Sequence, residues 1–211
     1  MTKSDQELIA DYQHGDSKAL EMLFDRYKKP VLNYALRVTG NRADAEDVTS
    51  DVMMTIIEKK PTVDHLKVVL VGDLQHSRVA NSWQLLASLM GVGELVLVAP
   101  DIWQPRPLHF GRLTHSLEEG LANADVVIVL RVQQERLLDK EQFDLATYRK
   151  QYALTSRTLS YAKPDAIVMH PGPMNRGVEI DSDVADGKQS VILQQVQNGV
   201  FMRMAILDAV Q

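Results

Sequence analysis

The chain has no cysteine, which excludes disulfides and thiolate metal sites and fits a reducing, cytoplasmic compartment. It has no apolar run near the ~20 residues of a membrane-spanning helix, so no membrane association is expected. Its first residues, MTKSDQELIADY, lack the apolar core of a signal peptide. It also lacks an excess of positive charge. A net charge of −5 argues against non-specific nucleic-acid binding. The six histidines are scattered, without helical pairing or nearby carboxylate ligands, so no metal site is expected. Gly72-Asp73-Leu74-Gln75 lacks the G-x-G-x-x-G spacing of a nucleotide loop, and no cofactor is expected. What is present is 45% apolar and 24% charged over 211 residues, the composition of a globular chain with room for one or two domains.

The most informative stretch is Lys67 to Met90. Leu66 to Val71 is a β-rich apolar run, Gly72-Asp73 turns, and from about Ser77 the apolar residues take helical spacing at Val79, Trp83, Leu86, Ala87 and Met90. A buried strand, a tight turn and an amphipathic helix form the first half of a βαβ unit. Arg78 stands at the start of that helix, just beyond the carboxyl end of the strand, where ligands bind in open parallel sheets. Val126 to Leu130 repeats the pattern and leads directly to Arg131 and Gln133. Ala166 to Met169 does so again and leads to His170-Pro171-Gly172-Pro173. Further expected elements are a strand at Leu95 to Ala99, a helix at Leu117 to Ala122 capped by Ser116, and helical character at Phe143 to Tyr148. Ser190 to Ala209 reads as a long closing helix. Alternating strands and helices predict an α/β fold, a parallel sheet with helices on both faces. Two guanidiniums, an amide and a Pro/Gly loop would then share one sheet edge. Because the planar fork of arginine bonds both oxygens of a carboxylate, the expected ligand is a small dianionic or zwitterionic acid.

GDLQHSRVANS, LRVQQERL and HPGPMNRGVEI resemble the signature segments of the aspartate-binding domain of aspartate carbamoyltransferase, a Rossmann-like half of that enzyme. HPGP argues against the ornithine relative, which usually carries a cysteine in that loop. In the resembled enzyme the amine of aspartate attacks the carbonyl of carbamoyl phosphate and phosphate leaves. The resemblance implies that Arg78 and Arg131 hold the carboxylates of L-aspartate or a similar dicarboxylate, that Gln133 assists, and that the Pro171-Gly172 backbone lines the amine and carbonyl. Such positioning supplies much of the catalysis in a two-substrate transfer. Thr155-Ser156-Arg157-Thr158 looks like the phosphate loop of carbamoyltransferases, but that loop belongs to their other domain, and a surface loop is expected here.

Residues 1–60 read as helices throughout. Leu8, Ile9 and Tyr12 mark a first helix and His14-Gly15-Asp16 a break. Leu20, Leu23, Phe24, Tyr27, Val31, Tyr34 and Ala35 form one stripe, which Pro30 is expected to kink or interrupt. Asn41 is an expected N-cap, and Val48, Val52, Met53, Ile56 and Ile57 are the expected buried face of a third helix. By pattern alone this is a small bundle. Its G-D-x-x-A-x-x-x-L-F-x-x-Y and G-x-x-x-D-A-E-D-x-T patterns also resemble the beginning of region 2 of extracytoplasmic-function sigma factors, which implies docking on RNA polymerase core. In that family the third helix runs on into an aromatic and basic segment that reads promoter DNA. Here the pattern stops near Lys60, residues 1–60 carry 9 Lys+Arg against 11 Asp+Glu, and no such strip is present. Specific DNA binding is therefore not expected.

The polar, Pro-containing join at Glu58 to Asp64 divides a helical segment, 1–60, from an α/β domain, 61–211. Three readings stay open. One is an aspartate-binding half that lacks a carbamoyl-phosphate domain and is inactive alone. The second is a polymerase-docking adaptor, and the third is a chimera without a joint function. The closing helix has more apolar residues than one face needs. The N-terminal helices are expected to cover it, within one chain or by exchange in a homodimer.

Overall fold

A computed structural model describes residues 3, 5–59, 63–133 and 144–209. The chain divides into two compact units, Met1–Thr62 and Val63–Gln211.

The first unit contains α1 (Asp5–Gln13), α2 (Ser17–Thr39) and α3 (Arg42–Lys59). The breaks follow local chemistry. Asp16 accepts the Lys18 N–H at 3.0 Å and starts α2, and Gly40, in the left-handed region at φ 66°, ends it. Asn41 then caps α3 by accepting the Ala43 N–H at 2.9 Å. Two expectations need correction. Pro30 does not interrupt α2, which runs through it. The missing N–H removes one backbone bond, and packing of α2 between α1 and α3 carries the helix across the gap. Val48 and Val52 are exposed, 43% and 40%, rather than buried. Among the described residues of this unit, the buried ones are Leu8 and the small Ala19, Ala35, Ala45 and Thr49. Small side chains let helices approach closely, so the larger valines stay outside. The side chains of Met53, Ile56 and Ile57 lie outside the described residues.

The second unit is built on five parallel strands: β1 (Lys67–Val71), β2 (Glu94–Val98), β3 (Arg112–Thr114), β4 (Val126–Val129) and β5 (Ile167–Met169). Their order is β3-β2-β1-β4-β5. Val71 lies level with Val98 on one side and Val129 on the other, and Ile128 with Met169. Helices α4 (Arg78–Met90), α5 (Leu117–Leu121), α6 (Leu145–Tyr152), α7 (Ser156–Leu159), α8 (Ser182–Ala185) and α9 (Ile192–Ala209) fill the connections and close the chain. This is the expected α/β class with a helical segment before it. The central strands β1, β2 and β4 are buried along nearly their whole length, which is why they read as unbroken apolar runs. Each such side chain contributes about 1.5–3 kcal/mol when fully buried. At the margin, Ile167 of β5 is 37% exposed.

Candidate ligand-binding site

Starting from β1, the chain runs outward through β2 and β3 and then returns to place β4 on the other side of β1. The crevice beyond the carboxyl ends of β1 and β4 is thus the topological switch point of the sheet. Each residue there has a local reason for its place. Gly72 follows β1 with φ +130°, and a Cβ on it would lie 2.8 Å from the Leu130 carbonyl oxygen. Only glycine passes β4 so closely. Asp73, fully buried, accepts the His76 backbone N–H at 3.1 Å and faces ring Nδ1 of His76 at 2.9 Å. Ser77 accepts the Ala80 N–H at 3.2 Å and so opens α4. Arg78 is therefore the first residue of that helix.

The end of β4 supplies Arg131 and Gln133. The Gln133 amide donates to the His76 carbonyl at 3.3 Å, tying this end to the β1–α4 turn. Beyond β5, His170 is fully buried, and its Nδ1 accepts the Gly172 N–H at 2.9 Å. Gly172 has φ +64°. These three ends enclose a cleft of about 190 Å³ lined by Arg78, Arg131, Gln133, Pro171 and Gly172, together with His76, Ser77, Val79 and Pro173.

The electrostatics of the cleft differ from those of the surface arginines. Arg149, Arg176 and Arg112 each meet a carboxylate, on Asp181, Asp186 and Glu94 respectively. Among the described residues no carboxylate pairs with Arg78. Arg131 is partly buried. Close to Gly72, burial, followed by the charges of Glu179 and Asp73, pushes the Tyr148 phenol well above its ordinary range, so it stays neutral. Tyr148 packs between Trp103 and Tyr152, at ring distances of 5.2 and 5.5 Å.

Asp73 and His76 shape the β1–α4 turn beside the cleft without standing out as candidate residues in the sequence. Their D-x-x-H spacing in the first turn after β1 was a usable signal, because it lets a carboxylate reach a ring three residues on. A larger groove of about 800 Å³ is lined by His115, Arg149, Tyr152 and Arg157, among others. Many of its polar groups are occupied structurally. Thr155 and Thr158 form the capping box of α7, Ser116 caps α5, and Arg149 is held by Asp181 and the Gly177 carbonyl. The neighbouring Ser156 hydroxyl donates to Asp183 at 2.5 Å. Among the described residues no group of three or more His, Cys, Asp or Glu side chains is placed to hold a metal ion, and no helix is long and apolar enough to cross a membrane.

An open parallel sheet with two arginines, a glutamine and a Pro/Gly loop around its switch-point crevice defines an α/β protein with a basic cleft at that crevice. The aspartate/ornithine carbamoyltransferase Asp/Orn-binding domain matches residues 64–210, and the chain belongs to that family. Sigma-70 region 2 matches residues 23–68. The aspartate carbamoyltransferase catalytic subunit of Legionella pneumophila (strain Corby) is 64% identical over 157 residues, which are 74% of this chain and 53% of that protein. The same-named subunit of Ruthia magnifica subsp. Calyptogena magnifica is 48% identical over 158 residues, 74% of this chain and 49% of the relative. Among solved structures, aspartate transcarbamoylase from Trypanosoma cruzi has a TM-score of 0.58 at 29% identity, covering 75% of this chain and 54% of that one. Ornithine carbamoyltransferase from Pyrococcus furiosus has 0.59 at 27% identity, covering 75% and 53%. The chain thus spans about half the length of the relatives it matches.

Proposed function

We propose that residues 63–211 form the aspartate-binding half of an aspartate carbamoyltransferase and bind L-aspartate, or a similar dicarboxylate, in the switch-point cleft. The observation that carries this reading is the meeting of Arg78, Arg131, Gln133, Pro171 and Gly172 around one small cavity, in a chain 64% identical over 157 residues to a protein named as the catalytic subunit of that enzyme. In this reading Arg78 and Arg131 each take one carboxylate, Gln133 bridges the two sides, and the Pro171-Gly172 backbone faces the amine. The cleft then orients the nucleophile. The partner substrate, carbamoyl phosphate, is assigned to the half of the relatives that these 211 residues do not match. The chain by itself therefore binds the amino acid without turning it over. The test is to mix the 211-residue chain with L-aspartate and carbamoyl phosphate. The expected result is no carbamoyl-aspartate above background while aspartate binding remains measurable. Turnover abolished by Arg131→Ala would contradict it.

A second reading is favoured for the first unit by the sigma-70 region 2 match. It assigns residues 1–62 to docking on RNA polymerase core, without promoter reading. Co-purification of core enzyme with the full chain, lost when residues 1–60 are removed, is the outcome this reading requires.

A further inference from the structure

A series of polar contacts links two of the segments that line the cleft. Asn175 donates through its side-chain amide to the Val132 carbonyl at 3.0 Å. Val132 sits between Arg131 and Gln133, so this contact fixes the β4 side of the cleft. The backbone N–H of the same Asn175 donates to Oε1 of Glu179. Glu179 Oε1 lies 3.4 Å from Nε2 of His170, and both side chains are fully buried. The other ring nitrogen of His170, Nδ1, accepts the Gly172 N–H at 2.9 Å, which fixes the β5 side. Accepting at Nδ1 requires the neutral ring to carry its proton on Nε2, the nitrogen turned toward the carboxylate. A polar ring and a carboxylate are costly to bury unless each satisfies the other. Hydrogen bonds join Val132 to Asn175, Asn175 to Glu179, and His170 to Gly172, while Glu179 and His170 approach to 3.4 Å without a hydrogen bond between them.

We infer that His170, Glu179 and Asn175 are positioning residues that set the separation between the Arg131–Gln133 side and the Pro171–Gly172 side of the cleft. Resting on the dicarboxylate reading above, this makes them determinants of which acid fits. Glu179 fixes the tautomer of His170, the tautomer fixes the Gly172 amide, and Asn175 locks both to β4.

The test uses the full 211-residue chain, succinate as the probe, and Glu179→Met, Glu179→Gln and Asn175→Ala variants. Methionine fills the space of the glutamate but offers no oxygen, whereas glutamine keeps an acceptor for both the ring and the Asn175 N–H. Asn175 is only partly buried, so its variant keeps the question open should Glu179→Met not fold. The expected result is succinate binding weakened roughly tenfold by Glu179→Met and Asn175→Ala and restored by Glu179→Gln. Imidazole 15N spectra should show His170 as the Nε2–H tautomer in the parent and in Glu179→Gln, with that signature lost in Glu179→Met. Should the parent bind succinate and Glu179→Met and Asn175→Ala bind it equally well, or should His170 in the parent carry its proton on Nδ1, the positioning role is overturned and the ligand assignment stands. A parent that binds no succinate overturns both.

Discussion

At Arg78 a structural role and a binding role can be told apart by experiment. An arginine at the first position of a helix gains nothing from the helix dipole, whose amino-terminal end is itself positive. It is exposed, and no carboxylate pairs with it among the described residues. Its position makes sense as one wall of the cleft. Replacing it with alanine is expected to leave the thermal midpoint unchanged and to weaken L-aspartate binding roughly 10- to 100-fold, the loss of a charge-assisted hydrogen-bonded pair. Calorimetry together with a melting curve checks both halves. A lowered midpoint with unchanged affinity would make Arg78 structural. Arg78, Arg131 and Gln133 were legible in the sequence because each directly follows a readable strand or turn. Glu179 was not, since it sits nine residues past its ring partner in a segment without periodicity, and only the folded loop brings it under His170.

Elements were legible in proportion to how much of their pattern their own residues carry. β1, β2 and β4 announce themselves as buried apolar runs, and α4 by its Ser77 cap and amphipathic spacing. β3, only Arg112–Thr114, and the four-residue α7 and α8 are too short to show a period. β3 exists because β2 offers it a free edge, and α7 because Thr155 and Thr158 cap each other. α2 shows the opposite failure, a strong local signal overridden by packing. A proline within a helix costs about 3 kcal/mol relative to alanine. Pro30→Ala is therefore expected to stabilise the first unit by about 1–3 kcal/mol in chemical denaturation, and a loss of stability would show that the ring is needed for packing. At the amino-terminal edge of the sheet, Asp125 joins three elements. It accepts the Lys67 N–H at 2.9 Å and meets the Lys163 ammonium at 2.5 Å. Burial disfavours its charge, but the Lys163 ammonium and the Lys67 N–H more than offset this, and the carboxyl sits below its ordinary value. A carboxyl depressed in the folded state stabilises the fold above its unfolded pKa, about 4, and that contribution is lost as the pH falls through the folded value. Asp125→Asn should thus lower the thermal midpoint at pH 7, with the gap to the parent closing on acidification below about pH 4. A gap independent of pH would place the effect in packing.

At the scale of the whole molecule, two sequence patterns meet in one chain, and the compact units Met1–Thr62 and Val63–Gln211 divide close to where the sigma-70 region 2 match and the Asp/Orn-binding match overlap, at residues 64–68. The sequence carried both resemblances because each family marks itself with clustered, ordered motifs. It did not carry the exposure of apolar side chains on α4 and α9, where Leu85, Leu89, Leu193 and Met202 are 57%, 71%, 85% and 63% exposed. Helical spacing shows which face is apolar but not whether anything covers it. The function proposed for the second unit requires that the switch-point cleft take a dicarboxylate. The most direct measurement is a titration of the 15N-labelled chain with L-aspartate, followed at the backbone amides. The predicted result is saturable shifts concentrated at His76 to Val79, Arg131 to Gln133 and Gly172, all abolished by Arg131→Ala. Shifts centred on the groove of His115, Arg149 and Arg157, or no saturable shift at any concentration, would contradict it.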